Sequence, residues 1–163
     1  MISFQIKQRG GYAGSASEIR HAVHLIGKAS GLRFTEVRSA AANPDITIEW
    51  ESPRSEPDLA GAVAARTETL SVSDGGVEEI IGANIYLDRT TAIRHGFPTS
   101  GLPAWGQVYL HELGHAVGLA HVSDRDEIMN PAVSRYNHVL ATGDLRRLRR
   151  VGAPAGCITA SSR

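Results

Sequence analysis

His111-Glu112-Leu113-Gly114-His115-Ala116-Val117-Gly118-Leu119-Ala120-His121 carries three of the chain's seven histidines. On a helix advancing about 100° per residue, His111 and His115 stand roughly 40° apart, so their imidazoles can converge on one ion. Glu112 borders the same face, placed to reach a water on that ion without being a ligand. A continuing helix would carry His121 roughly 240° round from His115, so the pattern predicts that the helix stops. Gly118 can turn the chain through a left-handed conformation at no side-chain penalty and bring His121 back as third ligand. Three neutral imidazoles leave one position open on a tetrahedral ion, the arrangement of a catalytic rather than a structural zinc, with one ion per chain. Zinc acidifies water toward a pKa of ~7, and Glu112 can act as general base, so hydrolysis of a polarised carbonyl is the predicted chemistry. An exposed polar helix face would account for HELGH alone, but not for Gly118 and His121 at their spacing.

The rest of the sequence sets the bounds. With 163 residues, 42% of them apolar and 21% charged, the chain has the size and composition of one globular domain. Its 17 basic residues balance 17 acidic ones, so no overall field recruits nucleic acid or an anionic membrane. No apolar run reaches the roughly 20 residues of a membrane span, and Met1 to Lys7 lacks a signal-like succession. The single Cys157 excludes an internal disulfide framework and a cysteine-only metal cluster, so a metal must be held by His, Asp or Glu.

Period-two alternation predicts strands at Phe4 to Gln8, Leu32 to Val37 and Asp45 to Trp50. Between the first two, Ser15 and Glu18 form a capping-box pattern ahead of Ile19, Ala22, Val23, Ile26 and Ala29 at helical spacing, closed by Gly31. Strand, helix and strand suggest a right-handed parallel crossover. A fourth strand is expected within Ala62 to Val72 and a fifth at Asn84 to Asp88, followed by a long irregular stretch to Pro103. Helices are predicted from about Ala104 to Leu119, with the break described above, and from a Thr142 cap to about Val151, with Leu145, Leu148 and Val151 facing inward. The domain is expected to span residues 1–155, followed by a frayed tail over 156–163.

The motif resembles the metzincin signature HExxHxxGxxH, and Met129, eight residues beyond His121, resembles the methionine turn those peptidases carry beneath the metal. Asp124 and Met129-Asn130-Pro131 make the likeness closest to matrixins; Pro131 stands where astacin-like relatives have a metal-reaching tyrosine, and Tyr136 lies too far along. The resemblance implies an α+β, zincin-like single domain with a mixed five-stranded twisted sheet and three helices, its fourth strand antiparallel at the edge of the cleft. It also implies a secreted, monomeric zinc endopeptidase acting on proteins or peptides, with Met129 as an apolar floor. Pro131, Ala132 and Val133 would wall the pocket for the residue after the scissile bond, opposite a helix carrying Val108 and Leu110, and would favour apolar side chains. Cys157 follows the motif and does not resemble a propeptide cysteine. The structural zinc and calcium loops of many matrixins have no clear counterpart, Asp74-Gly75-Gly76 being a faint candidate.

Other polar clusters read as surface. His21 and His24 lie off the first helix's apolar stripe, His95 and His138 show no convergent spacing with Asp74 or Asp88, and Arg146-Arg147-Leu148-Arg149-Arg150 reads as a solvated helix face. Two rival readings share the zinc motif: a metzincin-like binding module that has lost turnover, and a zinc hydrolase acting on something other than a peptide bond.

Overall fold

The computed structural model describes residues 1–39, 43–74, 77–98 and 102–152, without the side chains of residues 74, 77 and 78. In chain order these form β1 (Ile2–Lys7), α1 (Ser15–Ser30), β2 (Phe34–Glu36), β3 (Ile46–Glu51), β4 (Ala65–Asp74), β5 (Val77–Asp88), α2 (Trp105–Ala116) and α3 (Thr142–Gly152), with a 3-10 turn at Pro57–Leu59. The expected tail, Cys157 and the Gly75-Gly76 turn lie outside the described residues.

Alternation builds the sheet. Ile46, Ile48 and Trp50 of β3 are buried while Thr47, Glu49 and Glu51 stand on the other face, as a period of two requires. Register then stacks like on like: Phe4 aligns with Ile46 and Ile46 with Ala83, Ile6 with Ile48 and Ile48 with Ile85. The strand order is β2-β1-β3-β5-β4, all pairs parallel except β4 against β5. The fold is thus the expected α+β domain with a mixed five-stranded sheet and three helices. β4 is an edge strand, so among the described residues one side of its backbone has no strand partner.

α1 lays Ile19, Ala22, Val23 and Ile26 into the core shared with β1, β3, β5 and α2, each large aliphatic side chain contributing about 1.5–3 kcal/mol on burial. Gly31, at φ +80°, ends it, its N–H donating to the Gly27 carbonyl. The expected capping box does not form. Gly14, at φ +95°, starts the helix, its carbonyl accepting from Ser17 and Glu18 N–H, while Ser15 is buried and takes a hydrogen bond from Gln8. The Glu18 carboxylate is drawn instead to the Tyr12 hydroxyl and the Gly96 N–H, where it ties the 94–97 loop to α1.

That loop caps α2. The free N–H groups of Trp105 and Gly106 donate to the Arg94 and Gly96 carbonyls, and Gln107 Oε1 accepts from Ala104 N–H, so the helix needs no Ser, Thr, Asp or Asn before it. α2 is buried almost all round and stops at Ala116, three residues before the expected Leu119. α3 begins after Ala141, whose carbonyl accepts from Leu145 N–H and whose own N–H donates to Asp144. Ala141 therefore occupies the cap position given to Thr142. Leu148 is fully buried, but Val151 is 36% exposed and does not pack inward as expected, being at the fraying last turn.

Candidate active site

The second half of α2 sets the two near histidines. His111 Nδ1 lies 2.7 Å from the Ile128 carbonyl oxygen and His115 Nδ1 lies 2.8 Å from that of Leu119. A carbonyl can only accept, so each Nδ1 carries the proton and each Nε2 presents a lone pair. Gly118 follows at φ +97°, its N–H on the His115 carbonyl while Leu119 N–H reaches Gly114. The turn brings His121 round as the spacing predicted, and the three Nε2 atoms stand 3.1 Å from one another.

This triangle fits zinc. Two acceptor nitrogens 3.1 Å apart cannot hydrogen-bond each other, so the arrangement is favourable only around a cation. Burial holds His111 down to about pKa 4, and burial also lowers His115, which keeps both imidazoles neutral and able to ligate at neutral pH. Tetrahedral zinc with bonds of ~2.05 Å spaces its nitrogens about 3.3 Å apart, close to the separation found. His111, His115 and His121 are the one group of three such side chains, among the described residues, that can hold a metal ion. His95 stacks on Tyr12 and exposed His21 meets the edge of Phe97; neither joins a second cluster among the described residues.

Beneath the histidines, Met129 is buried and packs on Gly114, where even a Cβ would collide with its sulfur. The turn carrying Met129 is fixed from α3: buried Asp144 accepts from Ile128 N–H at 2.8 Å and Met129 N–H at 3.3 Å. Arg147 pairs with both Asp144 and Glu127. Since Ile128 also supplies the carbonyl that orients His111, α3 reaches the metal site through one short turn. Asp124 accepts from Asp126 N–H and closes the loop leading into that turn.

Glu112 is buried against the sheet, and burial pushes its carboxyl up to about pKa 7, opposed by a hydrogen bond from Thr67. The Thr67 hydroxyl on β4 lies 2.6 Å from Glu112 Oε2. His111, Glu112, His115 and His121 line one cleft of about 1050 Å³ that runs along the segment leading into β4 and its first residues, Ala62 to Thr67. Val108, Pro131, Ala132 and Val133 line the same cleft, joined by Ile93 and Pro103. Leu110, expected near that pocket, is buried in the core instead. Thr67, Gly114 and Asp144 were not among the residues singled out from sequence. Gly114 alone had a local signal, a residue without a side chain between two ligands on a buried helix.

A family model described as Matrixin matches residues 4–151, from β1 to the last turn of α3. No curated protein matches the chain. Because the matched stretch takes in the sheet, the histidine turn and the helix that braces it, the chain belongs to the matrixins, a family of zinc metallopeptidases.

Proposed function

We propose that the protein is a zinc-dependent endopeptidase that cleaves extended polypeptide chains with an apolar residue immediately after the cut. His111, His115 and His121 would hold the zinc and Glu112 would serve as general base. Bound there, zinc supplies Lewis acidity, polarising the scissile carbonyl and acidifying water. Glu112 takes a proton from the water whose oxygen bonds to the carbonyl carbon, and delivers it to the departing nitrogen as the C–N bond breaks. The unpaired side of β4 offers backbone N–H and C=O groups to an extended chain, which would lie along the cleft as an added strand. Val108 and Val133, with Ile93 and Pro103, form an uncharged wall for the side chain after the cut. The family resemblance supports action outside the cell and as a monomer; no described helix is long and apolar enough to cross a membrane.

The observation that carries this reading is the juxtaposition of three convergent imidazole nitrogens, a buried carboxyl and a strand edge in one cleft. Mass-spectrometric mapping of cleavage sites in a denatured proteome, with and without a zinc chelator, tests it. Chelator-sensitive cuts followed by Leu, Ile, Met or Phe are expected. Absence of any chelator-sensitive cleavage would contradict it.

A further inference from the structure

We propose that Thr67 is a positioning residue for Glu112, its hydroxyl reaching from the edge strand to the active-site helix to fix which carboxylate oxygen faces the cleft. The inference rests on the reading of Glu112 as the base. Thr67 Oγ1 lies 2.6 Å from Glu112 Oε2 and 3.1 Å from the Glu112 backbone oxygen. A hydroxyl has one proton to give, and the closer, charged acceptor takes it. Among the described residues no other group donates to this carboxylate, so the orientation of the Glu112 side chain depends on one hydrogen bond. With Oε2 engaged by Thr67, Oε1 is left to exchange protons in the cleft.

Thr67 is not needed to hold the two elements together. β4 is paired with β5 along its length, Thr67 opposite Ile85, and α2 is anchored through Val108 and Leu113 in the core. The β5 residues nearest in register, Ala83, Ile85 and Leu87, are buried and apolar, so a valine of the same shape would suit the packing at position 67 as well as threonine does. What valine lacks is the proton. Thr67 also lies on the strand that borders the cleft, which makes the base and the substrate-facing edge one connected unit.

Thr67→Val and Thr67→Ser test this, with kcat and KM on a peptide substrate, zinc content and thermal unfolding measured for each. Thr67→Val is expected to keep one zinc per chain and its unfolding temperature, and to lose kcat on the order of 10–100-fold at unchanged KM, the scale of a misplaced catalytic group. Thr67→Ser, which restores the donor, is expected to recover most of that loss. An undiminished kcat in Thr67→Val would overturn the proposal, as would a serine variant as slow as valine, a loss confined to KM, or loss of zinc. The base reading fails separately, if Glu112→Ala stays active. An inactive Glu112→Ala beside a fully active Thr67→Val would sink the positioning role alone.

Discussion

Gly118→Val should weaken zinc binding although residue 118 supplies no metal ligand. The residue sits at φ +97°, beyond the left-handed well that non-glycine residues occasionally enter, and β-branched side chains resist it most. Space is not the obstacle. A Cβ there meets only Ile80 Cδ1, at 3.4 Å, an ordinary contact. The cost is therefore the backbone conformation, about 1–3 kcal/mol. If the variant relaxes by letting α2 run on, His121 leaves and the cost appears as lost affinity, about 5- to 150-fold at 1.4 kcal/mol per factor of ten. Competition with a chromogenic chelator measures it. Gly31→Val is the control: φ is +80°, a Cβ there meets nothing within 4 Å, and the residue closes α1 away from the three ligands, so stability should fall while zinc affinity of the folded protein holds. Unchanged zinc affinity in Gly118→Val would refute the reasoning that this turn delivers the third ligand.

Two further outcomes are expected. His111 titrates near 4 when folded and near 6.5 when unfolded, so between those values the unfolded chain binds the extra proton. Glu112, raised to about 7 by burial, binds its proton more readily when folded and acts in the opposite sense, so the His111 effect is read from urea midpoints of the metal-free Glu112→Gln variant, which should lose up to about 3 kcal/mol as pH falls from 6.5 to 4; stability flat across that window in this variant would contradict the burial argument. Val133→Arg places a charge on the apolar wall of the cleft and should shift or block the apolar preference after the cut without removing zinc; an unaltered cleavage profile would mean that the pocket lies elsewhere.

The parts of this molecule legible in its sequence are those whose signal is local. The stripe Ile19, Ala22, Val23 and Ile26 and the alternation of Ile46, Ile48 and Trp50 encode burial directly, and Gly118 announces the turn that the three histidines require. The full β5 was not legible, because its first half pairs only with the edge strand and leaves Ile80 and Ile81 partly exposed, so no clean alternation marks it. Caps are illegible for a related reason. Glu18 satisfies Tyr12 and Gly96 rather than its own helix, and α2 is capped by carbonyls of Arg94 and Gly96, partners that only the folded chain brings together. Thr67 and Asp144 are the same case at the site: 45 residues separate Thr67 from Glu112, and nothing around either marks the contact.

The most direct test of the account is Glu112→Ala, assayed for bound zinc and peptidase activity on the same sample. The variant is expected to hold about one zinc per chain on His111, His115 and His121, with activity reduced by about 10²–10⁴-fold or more. A variant that loses its zinc would make Glu112 a ligand, and one that cleaves as fast as the parent would place the base elsewhere; either result would contradict the central claim.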